Sequence, residues 1–147
     1  MATTLTSDTT ARPTVDTAPA RASDVLLVED DELVRYALRR LLLGARRPCL
    51  AAASVGEAQQ LLAGHEPSLV LTDYNLGGRW TGIDLLLWMG RSTRLRSIPT
   101  VLMTGDDPIE IRARLVAAGL GDVELIAKPF EAPELIELLA RLRRGPV

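Results

Sequence analysis

The stretch SLVLTDYN, residues 68–75, decides the fold. Its apolar and small residues run from Ser68 to Thr72 without alternating and lead straight into Asp73. A short unalternating run of this kind reads as a strand buried on both faces, as in a parallel sheet. Ligands of open α/β sheets bind just beyond the carboxyl ends of such strands. A carboxylate there is costly to leave bare, so Asp73 is expected to be paired or reactive.

Four more apolar runs repeat the pattern. Val25–Val28 runs into the acidic cluster Glu29-Asp30-Asp31-Glu32. The others lie at about 48–53, at Ile98–Thr104 and at Val123–Ala127, which is closed by Lys128-Pro129. Helical patterns fill the intervals. The first, about 31–43, puts Val34, Ala37, Leu38, Leu41 and Leu42 on one face, turns Arg35, Arg39 and Arg40 to water, and ends at Gly44. The second opens at Ser54 with Glu57 as a capping box. The third starts at Gly82, the fourth has Pro108 at its first position, and the last covers about 132–143. Five strands alternating with five helices predict an α/β fold, a flavodoxin-like doubly wound parallel sheet of (βα)5 type. Right-handed crossovers then bring Glu29, Asp30, Asp73, Thr104 and Lys128 to one sheet edge.

Composition narrows the classes. The chain has 147 residues, 47% of them hydrophobic, and a formal net charge of −2, which suits one folded domain. Residues 1–23, rich in Thr, Ala and Pro, read as a disordered tail, 24–144 as the domain, and 145–147 as its end without an output domain. The mild acidity argues against a nucleic-acid surface. No run is long enough to span a bilayer, so a cytoplasmic location is expected. The single cysteine, Cys49, reads as buried filler, and the single histidine, His65, as a solvated turn residue. Of the 17 Lys and Arg residues only Lys128 is lysine. A compact ammonium kept where Arg serves everywhere else points to a site that needs one.

An Asp carboxylate can attack phosphorus to give an aspartyl phosphate. The obstacles are anion repulsion and the charge on the transferring oxygens, and cations and hydrogen-bond donors meet both. Glu29, Asp30 and Asp73 held together favour a divalent ion between them, and an all-oxygen set without His or Cys suits Mg²⁺. Lys128, the Thr104 hydroxyl and the Gly105 backbone N–H supply the rest, with Gly105 expected to allow close approach. Helix-dipole complementation explains Asp31 and Glu32 well, and Glu29 and Asp30 less well, because these two sit at the strand exit. Thr104 alone reads equally as a helix cap. The joint arrangement carries the signal.

With VLLVEDDELVR at 25–35, LVLTDYN at 69–75, Gly82, PTVLMTG at 99–105 and AKPF at 127–130, the chain resembles the CheY-like receiver domain of two-component response regulators over about 24–144. The resemblance implies that Asp73 is the phosphoacceptor and that Asp30, Asp73 and the Asn75 backbone carbonyl bind Mg²⁺, with Glu29 acting largely through water. It implies that Thr104 and Lys128 hold the phosphoryl group, with a cis peptide before Pro129. The donor would be a phosphohistidine on a sensor histidine kinase or a histidine phosphotransfer protein. A downstream protein, with homodimerisation possible, would read the switch. Such a chain is no enzyme beyond catalysing its own phosphorylation and dephosphorylation.

Three departures stand out. The loop after Asp73 lacks the usual Met-Pro and is one residue longer before the glycine, the first acid is Glu29 rather than Asp, and Leu125 replaces a common aromatic. Coupling from phosphate to surface is then expected through Thr104, the loop and the packing of the fourth helix. On the third helix, Leu87 and Trp88 are expected to face outward as a contact surface. Asn75 and Asp106, two residues after Asp73 and Thr104, are expected to orient attacking water. Two other readings compete. One is a degenerate receiver that binds protein without phosphorylation. The other is a phosphatase of the haloacid-dehalogenase type, which wants a second Asp where Asn75 stands.

Overall fold

A computed structural model describes residues 24–143, so the tail and end readings at 1–23 and 145–147 lie outside the described residues. Strands β1 (Val25–Val28), β2 (Cys49–Ala52), β3 (Leu69–Asp73), β4 (Thr100–Thr104) and β5 (Glu124–Ala127) alternate with helices α1 (Glu32–Gly44), α2 (Val55–Gly64), α3 (Gly82–Met89), α4 (Pro108–Ala117) and α5 (Ala132–Arg143). The five strands form one sheet in the order β2-β1-β3-β4-β5, and every pairing is parallel. This is the doubly wound, flavodoxin-like arrangement that the sequence predicts.

Period-2 alternation sorts each strand between two cores. Leu26, Val28, Val70 and Leu102 pack with α2, α3 and α4 through Leu62, Leu86 and Leu115. Val25, Leu27, Leu71 and Met103 pack with α1 and α5 through Leu42 and Leu139. Register then places the chemistry. Val28 aligns with Thr72, so Glu29 and Asp73 follow side by side. Thr104 aligns with Ala127, so Lys128 comes one residue beyond.

Several local expectations change on contact with the rest of the chain. Arg35 does not face water. It is half-buried, and its Nη1 donates to the Glu29 carbonyl at 2.9 Å. Ala37 is exposed, because the apolar stripe that meets the sheet is narrower than the sequence period allows. Helix α1 ends at Gly44 as expected, but the left-handed residue that closes its exit is Arg46, with φ 62°. Arg47 N–H donates to Leu42 O at 2.8 Å and Arg46 N–H to Leu43 O at 2.9 Å, which closes a Schellman turn. The turn survives a non-glycine residue because it delivers the Arg47 side chain inward. That side chain is buried, pairs with Asp24 and donates to Leu139 O at 3.2 Å.

His65 is half-buried at the end of α2, its Nδ1 3.0 Å from Leu61 O, so it caps a helix rather than lying free in a turn. Cys49 is half-buried and its thiol is pushed up by burial, against an opposing pull from Arg39, as suits filler. The Ser54 capping residue forms as expected, accepting from Glu57 N–H at 3.1 Å.

Gly82 is the tightest point between site and core. A Cβ there would lie against the Asp73 carbonyl and only 2.7 Å from Leu102 Cδ1. Neither the strand backbone nor a buried leucine can retreat, so Gly82→Ala is expected to cost about 1–3 kcal/mol. Urea denaturation of the two proteins measures it.

Candidate functional site

Five loops leave the carboxyl edge of the sheet, and those after β1, β3, β4 and β5 bring groups to the site. Asp31 caps α1, its Oδ1 accepting from Leu33 N–H at 2.9 Å and Val34 N–H at 3.1 Å. That cap turns the chain sharply after β1 and leaves Glu29 buried and Asp30 exposed at the rim. Glu29 Oε2 accepts from Asp31 N–H at 3.1 Å. Asp73 ends β3 in an almost fully buried setting. Oxygen atoms of Glu29, Asp30 and Asp73 all come within 4.8 Å of one another.

Lys128 reaches across from β5. Its Nζ lies 3.2 Å from Asp73 Oδ2 and 3.4 Å from Glu29 Oε1. The Lys128–Pro129 peptide is cis, and Lys128 N–H donates to Thr104 O at 2.7 Å, tying the fifth loop to the fourth. Thr104 is fully buried; its Oγ1 accepts from Asp106 N–H at 2.9 Å, which leaves the hydroxyl hydrogen to donate elsewhere. Asn75 is exposed, and its Nδ2 donates to Asp106 Oδ2 at 3.4 Å. The residues singled out in the sequence thus gather at one edge.

The electrostatics are those of a crowded anionic pocket. Burial, the largest effect, pushes the Asp73 carboxyl up, and the nearby Asp30 adds to it; the Lys128 ammonium and a Tyr74 backbone hydrogen bond oppose it without prevailing. Glu29 is also pushed up, first by burial and then by Asp73, against the Asp31 hydrogen bond and Lys128. Burial pulls Lys128 down, but the carboxylates of Asp73 and Glu29 outweigh it and hold the ammonium above its usual range. One lysine therefore does not neutralise the pocket. Three hard oxygen donors with an excess of negative charge fit a divalent cation such as Mg²⁺.

Some expectations are corrected. Gly105 packs against no protein atom, and a Cβ there would meet nothing within 4 Å. The close-approach glycines are Gly82 and Gly77, and Gly77 was missed because its neighbour, Asp30, is distant in sequence. Trp88 is half-buried and packs against the core rather than facing outward. Leu87 is 40% and Trp80 53% exposed, and both line a groove with Trp88 between α2 and α3.

The sign of these shifts fixes a pH dependence. Asp73 and Glu29 have folded pKa values raised above the usual 3.8 and 4.5, so their favourable contribution is present at low pH and is lost as pH rises through the raised values. Lys128, also raised, contributes fully at neutral pH. In magnesium-free buffer at pH 7, Asp73→Asn is expected to raise the melting temperature by about 4 °C, the shift that about 1 kcal/mol makes in a domain of this size. The gain shrinks as pH falls towards 4; a lower melting temperature for the variant at pH 7 contradicts it.

Residues 25–140 match the model of the response regulator receiver domain. Over 124 residues the chain is 37% identical to the response regulator protein FleR of Pseudomonas aeruginosa, covering 84% of this chain and 25% of FleR. It is 31% identical to the phosphate regulon transcriptional regulatory protein PhoB of the same organism, covering 83% of this chain and 53% of PhoB. The chain therefore spans about a quarter to a half of the length of these relatives. Among solved structures, the receiver domain of NtrX from Brucella abortus superposes with a TM-score of 0.74 at 26% identity, covering 84% of this chain and 100% of that one. The chain belongs to the response regulator receiver domain family.

Proposed function

We propose that residues 24–144 act as a phosphoryl-accepting switch, in which Asp73 takes a phosphoryl group from a phosphohistidine with Mg²⁺ bound beside it. The observation that carries the reading is the Lys128 ammonium, 3.2 Å from Asp73 and 3.4 Å from Glu29, at the rim of a three-carboxylate pocket. In the reaction an Asp73 oxygen forms a bond to phosphorus while the phosphorus–nitrogen bond of the donor breaks. The bonding pair returns to the imidazole nitrogen, which takes a proton.

Lys128 neutralises one phosphoryl oxygen, and the Thr104 hydroxyl and Gly105 N–H donate to the others. Glu29, Asp30, Asp73 and the Asn75 carbonyl are the residues that would hold the cation, which when bound supplies charge neutralisation on the transferring oxygens. Asn75 and Asp106, already hydrogen-bonded to each other, would orient the water that later hydrolyses the aspartyl phosphate. The donor is a sensor histidine kinase or a histidine phosphotransfer protein, and the output is a changed contact with a downstream protein or a second copy. No turnover of an external substrate is proposed. Among the described residues no helix is long and apolar enough to cross a membrane, and a cytoplasmic location fits the reading.

Incubation with Mg²⁺ and acetyl phosphate, followed by intact mass, tests this. One added phosphoryl group, absent in Asp73→Asn and in the presence of a chelator, is the expected result. No adduct favours a degenerate, phosphorylation-independent binding module, and turnover of many donor equivalents favours a phosphatase.

A further inference from the structure

The three acids of the pocket are not held alike. Glu29 is fixed by Asp31 N–H and by Lys128, and Asp73 by Lys128. The Asp30 carboxylate has no hydrogen bond or ion pair among the described residues; only its backbone carbonyl is engaged, by Arg35 at 3.4 Å. It is exposed, and Asp73 repels it. Left to itself, such a side chain turns to water.

What stands against it is backbone. Gly77, at φ 76°, passes so close to Asp30 that a Cβ built there would collide with Oδ2 and lie 3.5 Å from Cγ. The loop that carries Gly77 is pinned on both sides. Asn75 and Thr81 form an isolated antiparallel bridge, and Leu76 is buried in the core. Thr81 caps α3 in a reciprocal box with Asp84. The wall cannot easily move away, and only glycine satisfies both the left-handed φ and the missing Cβ. Its neighbour Gly78 has no such role, since a Cβ there meets nothing within 4 Å.

We infer that Gly77 is a positioning residue for the divalent cation: its bare Cα seats the otherwise untethered Asp30 carboxylate against Asp73. The inference rests on the magnesium-dependent reading above and concerns how the chain builds that site. Gly77→Ala would push the Asp30 oxygen out of the pocket while leaving Glu29, Asp73 and Lys128 in place.

The test reads affinity for magnesium alone, without phosphorylation, from the melting temperature as a function of MgCl₂ concentration. Gly77→Ala is expected to raise the dissociation constant at least about 10-fold, the usual size of an effect on a ligand's support. Gly78→Ala leaves it unchanged, and in an Asp30→Ala background Gly77→Ala adds nothing further. Backbone strain alone would lower the metal-free melting temperature of Gly77→Ala without changing its magnesium affinity. Equal affinities for wild type and Gly77→Ala therefore overturn the inference while the switch reading stands. A wild type with no magnesium dependence overturns both. Should Gly77→Ala not fold, Gly77→Asn, which carries a Cβ but tolerates the left-handed φ, decides: weakened magnesium affinity supports the contact, and wild-type affinity refutes it.

Discussion

The structure depends on one shared ammonium. Lys128 stands between Glu29 and Asp73, two carboxylates that the sheet register forces side by side at the buried ends of β1 and β3. Without a cation there, two adjacent buried acids would carry both a desolvation penalty and mutual repulsion. With a single lysine the balance is only partly restored, since both acids remain pushed up. A fold that needed stability alone would place apolar residues at these strand ends. This one retains excess negative charge, a condition that suits a divalent cation more than it suits a resting core.

Parallel topology is what makes that concentration of charge possible. All strands point the same way, so all their exits share an edge, and each exit is finished by a local device. Asp31 caps α1, Thr81 caps α3, Asp107 caps α4 and the cis Lys128–Pro129 bond turns the last loop. Gly82 lets α3 begin directly against the Asp73 carbonyl. The interior supplies rigidity: Leu71 and Met103 on one side and Val70 and Leu102 on the other are fully buried. Side chains at the edge therefore sit on strand ends that have little freedom to shift.

Most of this was legible in the sequence for a simple reason. Strands buried on both faces announce themselves as unbroken apolar runs, and the residue ending each run is automatically at the edge. Asp73, Thr104 and Lys128 could be placed by counting. What could not be read were contacts between segments far apart in sequence. Arg35 looked like a surface residue on helical period but is drawn to the Glu29 carbonyl. Arg46 takes a left-handed conformation that a sequence argument gives to Gly44, because the register of the buried Arg47 outranks local preference. Gly77 read as one of two loop glycines. The approach of Asp30 and a left-handed φ of 76° separate it from Gly78.

The same distinction bears on how the edge communicates with the surface. Leu125 lines a shallow depression with Ile109 and Arg112 on the outer side of β5 and brings no polar group to it. A polar connection does leave the site on another line. Tyr74, next to Asp73, is fixed by its backbone between Met103 O and Gly82 N–H, each at 2.8 Å. Its buried ring carries the hydroxyl to Arg114 of α4 at 2.9 Å, and Arg114 also meets Glu110 at 3.1 Å. The end of β3 is thus joined through the Tyr74 ring to a charged pair on α4, whereas Leu125 offers only an aliphatic side chain. The aromatic side chain lies beside the acid, and the aliphatic one lies where the family usually keeps its ring.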